Sequence, residues 1–157
     1  MKAIKTSVLI NAGIHDVFDC LAALDKYSDW LATSDTYQET EIITDLPIRQ
    51  GTQYRDNGSQ VIMKGEITVY QAPQKLTFSQ FTELKMLGLA NKMHILIEYD
   101  LVDNSGKTAL TRKQSVELSG IVILVTPFLR SIMKKENERI LQTLKSHLDS
   151  SHSRIDE

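Results

Sequence analysis

The clearest pattern of apolar and polar residues lies in the last third of the chain, where an apolar run at positions 121–125 leads into an amphipathic segment. At 100° per residue, the apolar side chains between about Thr126 and His147 fall on one stripe and the charged ones fall opposite. Thr126 as an N-cap followed by Pro127 at the first helical position provides a start. The pattern predicts a long C-terminal helix whose buried stripe is Leu129, Met133, Ile140, Leu141 and Leu144.

Asn137 lies within this apolar stripe, with Glu136 at its edge. A helix that completes a solid core would carry Leu or Ala there, because a buried amide without hydrogen-bond partners costs roughly 1–3 kcal/mol. The position therefore indicates a cavity beneath the helix. An amide that reaches solvent or caps a neighbouring backbone group would explain the pattern equally well, so both interpretations stay open.

The rest of the chain predicts one strand, two short helical segments and six further strands. A strand at 5–10 precedes apolar residues at helical spacing, and 25–31 forms a second, shorter helix or a turn. From Tyr37 onward, strands alternate with turn signals such as Asn57-Gly58, which is typical of a tight hairpin turn. The predicted order is β-αα-β6-α.

The last predicted hairpin indicates which side chains face inward. A four-residue loop at positions 103–106 would create the cross-strand pairs Tyr99–Leu110, Ile97–Arg112, Ile95–Gln114 and Met93–Val116. These side chains would share one face, and that face must be the inner one because it is mostly apolar. The same alternation on earlier strands turns another group inward, namely Met63, Ile67, Val69, Leu76, Phe78 and Gln80.

This inner face nevertheless contains Arg112, Gln114 and Gln80. An unpaired charge is very costly in a dry core, whereas a partly wet pocket with a few polar anchors suits a mainly apolar ligand. Two alternatives stay open: Arg112 bends round the strand end to solvent, or the register slips by one residue. The residues expected to line a ligand cavity are Tyr54, Met63, Ile67, Phe78, Gln80, Ile95, Ile97, Tyr99, Leu110, Arg112, Gln114, Met133 and Asn137.

An apolar rim is expected at one end of the sheet. Alternate turns of an up-and-down sheet lie at the same end, which groups the Asn57-Gly58 turn, a predicted loop at 84–90 and the run at 121–125. Apolar loops at a surface indicate a ligand gate, a transient membrane contact or a homodimer interface, unless they fold over and plug each other. The rim residues are Leu87, Leu89, Val122, Leu124 and Phe128.

Composition and charge exclude several classes of function. A formal net charge of −2 without any Lys/Arg block argues against nucleic-acid binding. Cys20 is the only cysteine and the four histidines show no ligand spacing, so we expect no disulfide, no metal site and no cofactor. No signal peptide or membrane-spanning run is recognisable, so a cytoplasmic protein is expected. The length suits one domain over residues 1–149, with a polar, frayed tail over 150–157.

The stretch from Ile10 to Leu21, followed by Trp30, resembles the opening of the START-like, Bet v 1-like (SRPBCC) superfamily, in particular its polyketide cyclase/dehydrase branch. Gly13 stands where Pro is usual and His15 where an acid is usual. The resemblance implies an α+β helix-grip fold: a curved seven-stranded antiparallel sheet wrapped around a long C-terminal helix, with a hydrophobic cavity between. It transfers no catalytic residue, because the superfamily shares a cavity rather than one constellation. Further matches, in order and spacing, are 51–54, 69–76, 106–110 and 141–145.

Residues and resemblance together favour binding of an apolar small molecule, such as a lipid, a quinone-like or a polycyclic compound, by a carrier or sensor. One alternative is a polyketide aromatase/cyclase-like enzyme, which is disfavoured because no inward His, Asp or Glu with a role is found. Another is a protein-interaction module that uses the apolar rim. In the enzyme, the substrate would be oriented by Arg112, Gln114, Gln80 and Asn137.

Overall fold

The computed structural model describes residues 2–59 and 61–153, apart from the side chains of Lys85, Met86 and His152. Each predicted element is present. The strands are β1 (Ile4–Ile10), β2 (Glu39–Ile42), β3 (Gln53–Asn57), β4 (Ile62–Gln71), β5 (Lys75–Met86), β6 (Leu89–Asn104) and β7 (Lys107–Ser119). The helices are α1 (Ile14–Ala22), a first 3₁₀ helix (Leu24–Asp29), a second 3₁₀ helix (Gly120–Val125) and α2 (Thr126–Ser153).

The seven strands form one antiparallel sheet in the order β1-β7-β6-β5-β4-β3-β2. The sheet curves around α2, which buries the predicted stripe against its inner face, with Met133, Leu141 and Leu144 between 0% and 8% exposed. Phe18 and Trp30 are buried at 0% and 8% in the same core. This is the expected α+β helix-grip architecture. Among the described residues, no helix is both long enough and apolar enough to cross a membrane.

The register of the last hairpin differs from the prediction by two residues. The turn consists of Ser105 and Gly106 alone, with φ angles of 54° and 84°, instead of a four-residue loop. Tyr99 therefore lies opposite Arg112 rather than Leu110, and the other predicted pairs are shifted in the same way. Because side chains alternate with a period of two, a shift of two residues changes every pair but leaves every face unchanged. The predicted inward set on these two strands survives for that reason.

A β-bulge in β4 corrects the predicted facing of Val69. The pairing with β5 shifts between Ile67 and Val69, so Val69 lies opposite Thr77 and turns to the outer face. Tyr70 takes the inward direction instead and packs edge-on against Phe18, with ring centroids 5.2 Å apart. Simple alternation could not reveal this, because the extra residue reverses the face of everything that follows it.

Two predicted turns have different boundaries. The loop expected at 84–90 is a continuous hairpin, because β5 and β6 extend to a two-residue turn at Leu87 and Gly88, whose φ angles are 53° and 76°. The connection expected as a tight turn at Asn57-Gly58 is wider, because β3 ends at Asn57, β4 begins at Ile62, and the Gly58 amide donates a hydrogen bond to the Val61 carbonyl. Residues such as Gly58 and Gly88 indicate that the chain turns, but they do not show at which residue the flanking strands end.

The long helix also begins and ends differently from the prediction. Thr126 has helical dihedrals and its hydroxyl donates to the Ile123 carbonyl at 2.6 Å, so it is not an N-cap. The helix instead continues directly from the second 3₁₀ helix, whose turns already direct the chain. It ends at Ser153, six residues beyond the expected His147. Positions 150–153 of the expected tail are therefore helical, and 154–157 lie outside the described residues.

Candidate ligand-binding cavity

A cavity of about 840 Å³ lies between the concave face of the sheet and α2. Its wall consists mainly of aromatic and aliphatic side chains from β3 to β7 and from the first half of α2. Of the thirteen residues predicted to line it, eleven do so: Tyr54, Met63, Phe78, Gln80, Ile95, Ile97, Tyr99, Arg112, Gln114, Met133 and Asn137.

The other two predicted cavity residues, Ile67 and Leu110, belong to the solid core instead. Both are 0% exposed and neither reaches the cavity. Leu110 lies toward the end of the sheet that carries the Ser105-Gly106 turn, opposite Val8 and Leu101, whereas Ile67 lies beside the β-bulge of β4, opposite Phe78. Strand alternation gives the face of a residue, but it does not show whether that part of the face borders the cavity or is covered by packed side chains.

Arg112 is turned inward and is only 6% exposed. Its Nε donates to the Asn137 Oδ1 at 2.9 Å, and a terminal N–H donates to the Tyr99 hydroxyl. The guanidinium carbon also lies 5.2 Å from the centroid of the Tyr99 ring, within the range of a cation–π contact. The alternative in which Arg112 bends out to solvent is therefore wrong, and Asn137 is the partner that holds it inside.

The second polar group of the cavity centres on Asp56. Gln80 Nε2 donates to the Asp56 Oδ2 at 2.7 Å and to the Tyr54 hydroxyl at 3.1 Å. The Thr40 hydroxyl donates to the other carboxylate oxygen at 2.6 Å. Burial raises the pKa of Asp56 to about 6, although the hydrogen bonds from Thr40 and Gln80 and the charge of Arg112 act to lower it. Asp56 can therefore exchange a proton near neutral pH.

Asp56 was missed from the sequence, which was interpreted as having no inward His, Asp or Glu with a role, whereas Asp56 lines the cavity. The signal was present, because Asp56 is two residues after Tyr54 on the same strand and must share its face. Glu136, placed at the edge of the helical stripe, also lines the cavity. Burial would raise its pKa, but hydrogen bonds from Arg139 and the charge of that guanidinium outweigh burial and lower it.

Two polar atoms in the cavity wall are buried without any hydrogen-bond partner. They are the Asn137 Nδ2, on the amide whose oxygen binds Arg112, and the Gln114 Oε1 on β7. Such atoms each cost roughly 1–3 kcal/mol, so native proteins rarely retain them without a use. Both belong to residues that line the cavity, which makes a bound molecule the natural source of their partners.

The predicted rim segments meet at one end of the cavity. The lining includes Gly58, Ser59 and Val61 between β3 and β4, Leu84 of β5, and the second 3₁₀ helix, so these segments share one end of the sheet as expected. Val122 and Phe128 line the cavity, whereas the other three predicted rim residues do not. Those three point into solvent, and their exposures are 88% for Leu87, 56% for Leu89 and 83% for Leu124.

Other reactive side chains lie away from this chemistry. Burial, and to a lesser extent the charge of Asp29, raises the pKa of the Cys20 thiol to about 11, so it stays protonated and is a poor nucleophile. His94 lies on the outer face, where its Nε2 is 2.7 Å from the Ser79 hydroxyl. Within residues 2–59 and 61–153, no group of three or more His, Cys, Asp or Glu side chains is arranged to hold a metal ion.

No protein-family model and no curated protein matches this sequence. Solved structures do match it. The chain is similar to a START superfamily protein from Mycobacterium smegmatis, with a TM-score of 0.67 and 10% identity over 94% of this chain and 97% of that one. It is also similar to DynU16, a protein of the dynemicin biosynthetic locus, with a TM-score of 0.66 and 14% identity over 96% of this chain.

A third similar structure is the di-domain ARO/CYC protein BexL from the BE-7585A biosynthetic pathway, with a TM-score of 0.67 and 15% identity over 94% of this chain. The chain spans 48% of the length of DynU16 and 50% of that of BexL. Identities at this level carry information on the fold alone. By strand order, helix placement and these similarities, the chain has the START-like helix-grip fold.

Proposed function

We propose that the protein binds a mainly apolar small molecule, such as a lipid, a quinone-like or a polycyclic compound, inside the cavity and serves as a carrier or sensor for it. The observation that carries this proposal is the internal space of about 840 Å³ with inward polar anchors. A core whose only role was stability would fill that space, because interiors pack to crystal-like density. The volume lies within the roughly 300–1,000 Å³ of ordinary small-molecule sites.

Apolar burial supplies enough free energy for such binding. Each methylene transferred from water to a wall such as Phe78, Ile95 or Met133 contributes about 0.8 kcal/mol, so ten of them contribute about 8 kcal/mol. Association itself costs at least about 4 kcal/mol, so ten buried methylenes leave about 4 kcal/mol, which corresponds to millimolar affinity, and about fifteen leave about 8 kcal/mol, which corresponds to micromolar affinity, before any polar contact is counted. The polar anchors would then select among apolar molecules rather than provide most of the affinity.

The similarity in fold to a START superfamily protein and to the ARO/CYC protein BexL supports a ligand-binding role. It does not distinguish a carrier from an enzyme.

One observation favours a cyclase-like enzyme as the second candidate. Asp56 lies in the cavity with a pKa near 6, so its carboxylate could remove a proton from the carbon between two carbonyl groups of a polyketide-like substrate. The electron pair would move onto a carbonyl oxygen, where Arg112 and Tyr99 could donate hydrogen bonds. Exchange of the α-protons of an aryl β-diketone in D₂O, followed by NMR, tests this role. If the protein is a cyclase-like enzyme, wild-type protein should accelerate this exchange and Asp56→Asn should not.

Native mass spectrometry of freshly purified protein, combined with lipid extraction, tests the binding proposal. We expect a non-covalent adduct whose small molecule is recovered unchanged; a chemically altered molecule would favour the enzyme. The matched variants are Ile95→Trp, which fills the cavity, and Leu96→Trp, which adds the same side chain on the opposite face of β6. Only Ile95→Trp should lose the adduct. If no apolar molecule or probe binds wild-type protein, or if both variants bind equally, the proposal fails.

A further inference from the structure

The strongest unexplained feature of the cavity is a buried cation that forms no ion pair. Arg112 is 6% exposed and its hydrogen-bond partners are the neutral Asn137 amide and Tyr99 hydroxyl. Among the described residues, no carboxylate forms an ion pair with it. It is also the one Lys or Arg side chain in the described lining of the cavity. A buried charge with neutral partners only is costly unless something else neutralises it.

The groups that hold Arg112 leave their own donors unused. The Tyr99 oxygen accepts from the guanidinium, so its O–H hydrogen remains available for another acceptor. The Asn137 Oδ1 accepts from Nε, which leaves its Nδ2 without a partner. Gln114, the next inward residue on β7, presents an unpartnered amide oxygen, and rotation of that amide by 180° would present an N–H instead. This end of the cavity is therefore rich in donors and positively charged.

From this geometry we propose that the ligand carries a single carboxylate, bound by Arg112, the Tyr99 hydroxyl and the Asn137 amide, on an otherwise apolar body. This inference rests on the proposed function. A planar carboxylate matches the guanidinium fork. It also supplies one negative charge in direct contact with Arg112, which has no ion-pair partner in the protein. A neutral carbonyl would leave the cation uncompensated. A phosphate dianion would bring a second negative charge into a cavity that already contains Asp56.

The test compares a fatty acid with its neutral ester. cis-Parinaric acid and its methyl ester have the same fluorescent polyene body and differ in the charge of the head group, so titration of each reports the contribution of the carboxylate. At pH 7.5 we expect wild-type protein to bind the acid at least about 10-fold more tightly than the ester, equivalent to about 1.4 kcal/mol. Arg112→Met should lose this preference while its affinity for the ester changes less than about threefold.

Two further variants make the comparison specific. Lys113→Met removes the same charge from the adjacent residue, which points out of the sheet toward Glu98, and should keep the preference for the acid. Asn137→Asp preserves the shape of the side chain but places a carboxylate where the amide oxygen lies 2.9 Å from the Arg112 Nε. This internal counter-charge should abolish the preference even if Arg112→Met fails to fold.

The outcomes separate the two proposals. Equal binding of acid and ester by wild-type protein overturns the carboxylate inference and leaves apolar binding in the cavity intact, provided that Ile95→Trp blocks both probes. A preference for the acid that persists in both Arg112→Met and Asn137→Asp also overturns it, because the charge would then be recognised elsewhere. Failure of both probes to bind wild-type protein contradicts the proposed function itself.

Discussion

Replacement of Asp56 by Asn should change the pH dependence of stability in a direction fixed by the burial of this carboxyl group. The folded protein holds the pKa of Asp56 at about 6, above the ordinary aspartate value of 3.8. In the window between these values the folded state binds more protons than the unfolded state. The free energy of unfolding therefore falls as the pH rises through this window, and it is constant above it as far as this group is concerned. The Asn side chain does not titrate, so the Asp56→Asn variant should not show this decrease in the free energy of unfolding.

The upper limit of the effect follows from the shift. A difference of about two pKa units corresponds to about 3 kcal/mol at 1.36 kcal/mol per unit. The side chain is only half-buried and faces a cavity that opens to solvent, so screening reduces this value and we expect about 1–2 kcal/mol. Asn also loses part of the hydrogen bonding to Thr40 and Gln80, at a cost of about 1 kcal/mol. That loss is independent of pH, so it cancels when the change between pH 4.5 and pH 7.5 is compared.

Urea unfolding followed by the fluorescence of Trp30, the single tryptophan, measures the required free energies at both pH values. Glu66→Gln removes a negative charge from the exposed face of β4 and controls for net charge. Thr40→Val removes a hydrogen bond that lowers the pKa of Asp56, so the fall in stability should move to higher pH. The quantity compared is the change in the free energy of unfolding between pH 4.5 and pH 7.5. If that change differs between wild type and Asp56→Asn by less than about 0.3 kcal/mol, or in the opposite sense, the reasoning is refuted.

Three further predictions concern other parts of the cavity. Arg112→Leu should leave the free energy of unfolding unchanged or raise it by about 1–3 kcal/mol in urea titrations, because a buried charge is replaced by an apolar side chain; a loss of more than about 2 kcal/mol would contradict this. Gly65→Ala should destabilise by about 1–3 kcal/mol, because a Cβ there would lie 2.2 Å from the Tyr54 ring, and an unchanged urea midpoint would show that the ring moves freely. The double variant Leu87→Ser with Leu124→Ser should slow uptake from vesicles while stability changes by less than about 0.5 kcal/mol. Light scattering would reveal a dimer interface if wild-type oligomers became monomers, and loss of cooperative unfolding would contradict the exposed position of both leucines.

The fold could be predicted from the sequence because its signals are periodic. Alternation gives the face of a strand residue, and a register error of two residues, as at Tyr99 and Arg112, does not change that face. Signals that depend on a single residue were less reliable. The β-bulge before Val69 has no marker in the sequence, and Leu87 occupies a left-handed turn position that Gly or Asn usually takes. Such positions are set by neighbouring strands, which local patterns do not describe.

The candidate site was predictable in its parts but not in its connections. The pattern identified Arg112 and Asn137 as separate anomalies, one on a strand and one on a helix 25 residues later in the chain. Their hydrogen bond depends on the height at which α2 crosses the sheet, and that height follows from packing rather than from periodicity. Asp56 was missed for the opposite reason. Its face follows from that of Tyr54 two residues earlier, yet a short and mainly polar strand shows no apolar alternation that marks its inner face.

Gly65 explains how the two polar groups come to share one cavity. It is the cross-strand partner of Tyr54, and because it has no side chain the Tyr54 ring lies across β4 toward β5. There the ring meets Phe78 edge-on at 5.9 Å, and Phe78 meets Tyr99 in the same way at 6.0 Å. The aromatic row therefore joins the Tyr54 hydroxyl, bound to Gln80 beside the acid, to the Tyr99 hydroxyl, bound to the cation. A ligand body lying along this row would keep its two ends in opposite electrostatic surroundings, so its orientation and its affinity would be determined by different residues.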